Sequence, residues 1–234
     1  MTPPTNSHTA EAIEHTVIVN ADGVELEGDL AIPHGATGIV LFAHGSGSSR
    51  HSSRNRFVAE ELRRGDLGTL LFDLLTPEEE RIDVRTAHIR FDIGLLADRL
   101  IGAMRWLDAQ DETRGLRVGL FGASTGGGAA LVAAARRPDR VDGVVSRGGR
   151  PDLAAEELRM VRSPTLLIVG GRDTVVIDLN KQAMRQMVAP VQLEIVSGAT
   201  HLFEESGTLE QVAELARNWF VRYLTPDSSA PPPA

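Results

Sequence analysis

Two kinds of apolar pattern alternate along the chain between residues 15 and 224. Residues 15–20 and 24–32 alternate apolar with polar positions around Ala21-Asp22-Gly23, which predicts an antiparallel hairpin at a sheet edge. Residues 39–43 (Ile-Val-Leu-Phe-Ala) form an unbroken apolar run, as expected of a strand covered on both faces. Further strands are predicted at 69–74, 118–121, 141–146, 165–170 and 191–196. Helices are predicted at 52–64, 152–160, 180–187 and 209–224, and in the alanine-rich stretch that Pro138 closes. Ile93, Leu96, Leu100, Ala103, Met104 and Leu107 have the spacing of an amphipathic helix over 91–108, whereas the charged segment 77–90 has no readable period. Strands alternating with helices predict an α/β fold, a mostly parallel sheet with helices on both faces. In such sheets the functional loops lie at the carboxyl ends of the strands.

One strand-to-helix junction stands out. The apolar run 118–121 meets Gly122-Ala123-Ser124-Thr125-Gly126, a G-x-S-x-G turn that presents a serine hydroxyl at a strand tip. A side chain at Gly122 or Gly126 is expected to collide with neighbouring backbone there. The Thr125 N–H would open the following helix, where unpaired donors and the dipole favour an anion.

A serine needs a base, and the base needs a group to orient it. Of seven histidines, His201 directly follows the last predicted strand, so it is the expected base. Asp173 ends another strand, between Ser124 and His201 in chain order, and is the expected acid, with Asp178 in reserve. Backbone N–H groups of Ser46 and Thr125 are the expected oxyanion donors, while His44 is expected to shape the Gly-Ser loop after 39–43. Arg50, His51, Arg54 and Arg56 cluster beyond that loop, and Arg147 and Arg150 flank Gly148-Gly149. Arginines of this kind are commonly solvated or paired with carboxylates. Candidate contacts to an anionic substrate group are His44, Arg50, Arg54, Arg147 and Arg150, because a guanidinium fork matches carboxylate or phosphate.

Composition narrows the options. The 234 residues suit one domain over 13–225, between a loose leader (1–12) and a loose tail (226–234). A formal charge of -8 disfavours nucleic acid and anionic membranes as partners. With no cysteine there is no disulfide, thiolate metal site or cysteine nucleophile, and no metal or cofactor is expected. The polar start and the lack of a long apolar run point to a cytoplasmic protein, for which a homodimer is compatible.

The motifs H-G-S-G (44–47), G-A-S-T-G (122–126), G-G-R-D (170–173) and G-A-T-H-L-F-E (198–204) resemble the α/β-hydrolase superfamily, and within it the dienelactone-hydrolase-like esterases. The resemblance covers about 15–224 and implies an eight-stranded sheet, an antiparallel first hairpin and a Ser124-Asp173-His201 triad. Residues 49–57 and 70–80 look like a bacterial branch sometimes fused to phosphoribosyltransferase domains, a domain not expected in this chain. Dienelactone hydrolases proper carry a cysteine where this chain has Ser124, so dienelactone itself is not carried over as substrate. Only 147–164 separate two strands where larger relatives insert a cap, so little or no lid is expected. The expected activity is hydrolysis of small carboxylic esters or lactones. Acyl transfer (perhydrolase chemistry included) and a non-catalytic small-molecule-binding homologue are the alternatives.

Overall fold

The computed structural model describes residues 13–226. The expected leader lies outside the described residues, as does the expected tail apart from Pro226. Eight strands form one sheet: β1 (Ile13–Ala21), β2 (Val24–Ile32), β3 (Gly38–Ala43), β4 (Gly68–Phe72), β5 (Arg117–Ala123), β6 (Val141–Arg147), β7 (Thr165–Gly170) and β8 (Val191–Val196). Their spatial order is β1-β2-β4-β3-β5-β6-β7-β8. The β1-β2 and β2-β4 pairs are antiparallel, and the remainder of the sheet is parallel.

Among the described residues there are six α-helices, of which all but α2 pack on the sheet: α1 (Ser53–Arg63), α2 (Pro77–Thr86), α3 (Ile93–Ala109), α4 (Thr125–Arg136), α5 (Thr174–Met184) and α6 (Thr208–Leu224). Strand side chains alternate between two cores, as a two-residue period requires. Ile39, Leu41 and Ala43 pack with α3 and α4, whereas Val40 and Phe42 pack with α1 and α6. The six apolar positions predicted for the 91–108 helix are all buried in α3.

One segment without an expectation proves helical, and two expectations need correction. Segment 77–90, which has no apolar period, forms α2 and a 3-10 turn (Ile89–Phe91); Thr76 and Glu79 close a capping box and Pro77 opens the helix. The 152–160 helix is a 3-10 segment (Pro151–Met160) broken at Ala155, whose φ is 44°. The 180–187 helix begins earlier, at Thr174, because Val176 and Ile177 pack beside Val169 and this outweighs the low helix propensity of a β-branched run.

Candidate active site

Ser124 joins β5 to α4 with φ 52° and ψ -119°, a conformation that costs a non-glycine residue about 1–3 kcal/mol. Its surroundings enforce it. The Ser124 N–H donates to the Arg147 carbonyl (3.2 Å), and the Ser124 carbonyl accepts from Gly127 (3.0 Å) and Arg150 (3.0 Å). A Cβ at Gly122 would collide with the Gly126 carbonyl, and one at Gly126 with the Ala43 carbonyl, so neither position tolerates a side chain.

The loops after β7 and β8 bring two further groups to the same end of the sheet. Arg172 N–H donates to the Ala199 carbonyl (2.9 Å), tying the two loops together. Glu205 accepts the Thr200 N–H (3.1 Å) and fixes the bend that carries His201. His201 Nδ1 lies 2.6 Å from Asp173 Oδ2, a charge-assisted hydrogen bond that leaves Nε2 for other work. Asp178 instead lies exposed on α5.

Ser124 and His201 line one cleft of about 250 Å³, with Gly45, Ser46, Ser48, Ser52, Arg54, Asn55, Ala123, Arg147 and Leu202. No hydrogen bond joins Ser124 to His201 among the described residues. Thr125 begins α4, so its N–H is one that a helix leaves without an intrahelical acceptor. The Ser46 N–H donates to Thr125 Oγ1 (3.0 Å), an interaction that the residue pattern did not announce. Ser52, Asn55 and Leu202 are also cleft residues that the motifs missed; the S-x-x-N spacing at 52–55, a helix start with Ser52 accepting the Asn55 N–H (3.4 Å), was the available signal.

The five residues singled out for an anionic group part company. Arg150 is held by both oxygens of Asp152. Arg50 is held by Asp73 and Glu27 and lines a separate groove of about 500 Å³ that does not include Ser124. His44 does shape its loop: Nε2 accepts the Leu74 N–H (3.1 Å), which leaves Nδ1–H to donate to the Gly45 carbonyl (3.1 Å). Burial lowers its pKa from 6.5 and keeps the ring neutral. Only Arg54 and Arg147 reach the cleft with Ser124. Burial, and then repulsion from Arg54, push Arg147 down to about 10, so it is a cation at neutral pH.

The model of the dienelactone hydrolase family matches residues 62–224, more than half of the chain. The chain belongs to the dienelactone hydrolase family. A structure of dienelactone hydrolase from Anabaena variabilis is 61% identical, superposes with a TM-score of 0.90, and overlaps 92% of this chain and 99% of that one. Est1E from Butyrivibrio proteoclasticus shares the fold (TM-score 0.74, 89% of this chain and 98% of that one) at 15% identity. A Mycobacterium tuberculosis protein provisionally named a phosphoribosyl transferase is 59% identical over 211 residues, which is 90% of this chain and 47% of that protein. The chain therefore spans about half the length of that relative. The chain's family and its fold support a hydrolase. No helix among the described residues is long and apolar enough to cross a membrane, and no cluster of His, Asp or Glu among them is arranged to hold a metal.

Proposed function

We propose that the chain is a serine esterase acting on small carboxylic esters or lactones. The observation that carries this reading is the constrained Ser124 in a cleft with a histidine that is hydrogen-bonded to a carboxylate. Ser124 Oγ adds to the ester carbonyl while His201 Nε2 takes its proton. The tetrahedral intermediate then expels the alkoxide, which receives that proton. Water, deprotonated by the same nitrogen, releases the acid and restores Ser124. Asp173 holds the imidazole in the tautomer with the proton on Nδ1 and stabilises the imidazolium that forms in each half.

The oxyanion is received by the backbone N–H groups of Thr125 and Ser46. In the free cleft the Ser46 N–H donates to the Thr125 hydroxyl, a bond that the substrate oxygen would have to share or displace. A cleft of about 250 Å³ suits short acyl groups. Acyl transfer to an alcohol, amine or peroxide would use the same first half-reaction.

The test is hydrolysis of p-nitrophenyl acetate and butanoate by wild type and Ser124→Ala. Turnover that falls on the order of 10⁴-fold or more in the variant supports the reading. Equal turnover by the variant contradicts it.

A further inference from the structure

Asn180 is a polar side chain in an apolar place. It lies on α5 with no exposure to solvent, and Val176 and Ala183, one turn to either side, are buried apolar residues. Its amide nitrogen donates to two carbonyls, that of Val176 (2.8 Å) within the helix and that of Gly149 (3.1 Å) 31 residues earlier in the chain. Two acceptors at one atom settle which end of the amide is nitrogen. The oxygen end, Oδ1, is buried without a hydrogen-bond partner among the described residues. A buried acceptor left unmatched costs stability, and a leucine of similar size would avoid that cost, so packing does not account for the asparagine. What the amide supplies and leucine cannot is the bond to Gly149.

Gly149 belongs to a short loop that touches all the reacting groups. On one side of it the Arg147 carbonyl accepts the Ser124 N–H (3.2 Å), and on the other the Arg150 N–H donates to the Ser124 carbonyl (3.0 Å), so the strained serine is held from both ends. Gly148, with φ 51°, donates its N–H to the Ile168 carbonyl (2.7 Å) and lies against His201: a Cβ built on it would stand 3.2 Å from the His201 carbonyl and 3.4 Å from Cε1 of the ring. A Cβ at Gly149 would run into the Ser146 hydroxyl, so the loop is pressed onto β6 with no side chain between them. Helix α5, for its part, begins at the acid. Asp173 is its N-cap residue, yet the carboxylate makes no capping bond and turns to His201 instead. From Asp173 to Asn180 is two turns, about 10 Å of helix.

We infer that Asn180 is a positioning residue: its amide locks α5 to the 148–150 loop and so holds Asp173, His201 and Ser124 as one unit, acting through Gly149 without touching substrate. Without that donor the buried Gly149 carbonyl has to find another, and the loop shifts to do so. A displacement of about 1 Å in such a constellation costs up to about 100-fold in rate. The effect on rate rests on the esterase reading; the effect on His201 does not.

The test compares wild type with Asn180→Leu, which keeps size and burial and removes the donor. Two quantities are read well below the melting temperature of both proteins: kcat and KM for p-nitrophenyl butanoate, and the NMR signal of the His201 Cε1–H, assigned with His201→Gln. In the variant kcat is expected to fall about tenfold to 100-fold with KM changed by no more than about twofold. The His201 signal is expected to move, because Gly148 lies against that carbon. An asparagine that served stability alone would lower Tm and leave both readings in place. Should the Leu variant fail to fold, Asn180→Ala, which removes the amide without adding bulk at a new position, carries the same two measurements. In an active enzyme, a kcat within about twofold of wild type or an unmoved His201 signal overturns the inference. If wild type itself does not hydrolyse the ester, the esterase reading falls and the signal decides alone: moved, it upholds the clamp, and unmoved, it overturns it.

Discussion

The two walls at this end of the sheet, one around the Arg50 groove and one around the Ser124 cleft, are built on opposite principles. On one side, the loop after β3 and the turn after β4 satisfy their polar groups internally: His44 is bonded through both ring nitrogens, and Arg50 joins Asp73 to Glu27. On the other, the ends of β5 and β6 carry a strained Ser124 and an unpaired, buried Arg147, and the β8 loop carries a histidine with one nitrogen left over. Groups that are complete within the chain stabilise it. Groups left strained or incomplete cost stability and await a ligand. Substitutions on the first wall are therefore expected to change melting with modest effects on rate, and those on the second to change rate with little loss of stability.

The sharpest contrast comes from Asp173→Asn. It keeps the shape of the side chain but leaves the His201 tautomer wrong for accepting the serine proton, so ester turnover is expected to fall about 10³- to 10⁴-fold with Tm nearly unchanged. Near-normal kcat would break the assignment of the acid. Next comes Arg50→Met, which leaves the partly buried Asp73 without its cation and is expected to cost about 2 kcal/mol in denaturant unfolding. A loss of rate without a loss of stability would erase the difference between the walls.

The smallest effect concerns His44, which the fold keeps neutral by burial while the unfolded chain takes up a proton near the ordinary value of 6.5. Below that pH the unfolded chain binds more protons, so His44 makes stability fall as pH drops through the imidazole range, levelling off below its folded-state pKa. In His44→Gln, stability is expected to be lower by about 1 kcal/mol at neutral pH and its decline on acidification shallower. An identical pH profile in both proteins would show that His44 does not titrate on unfolding.

Much of this arrangement was legible in the residue pattern, for reasons that differ from place to place. Buried parallel strands announce themselves as short apolar runs, and the strand-end rule was enough to pick His201 and Asp173, which the fold brings to 2.6 Å of each other. Helix α2 was missed although Thr76, Pro77 and Glu79 spell a helix start, because among its residues only Asp83 is buried and no apolar period exists to read. Helix α5 was placed late because Thr174, Val175, Val176 and Ile177 look like a strand until Val176 and Ile177 pack beside Val169. The arginines were the least legible. Arg150 meets an acid two residues away, Arg50 meets one 23 residues away, and Arg147 meets none among the described residues, a distinction that the local sequence alone does not carry.

The central claim is that Ser124 is an activated nucleophile. Its most direct test is the intact mass of the protein after exposure to a small fluorophosphonate, alongside Ser124→Ala. The account predicts one adduct on wild type, mapped to Ser124 and absent from the variant. A folded wild type that takes up no label, or labels equally in Ser124→Ala, would contradict it.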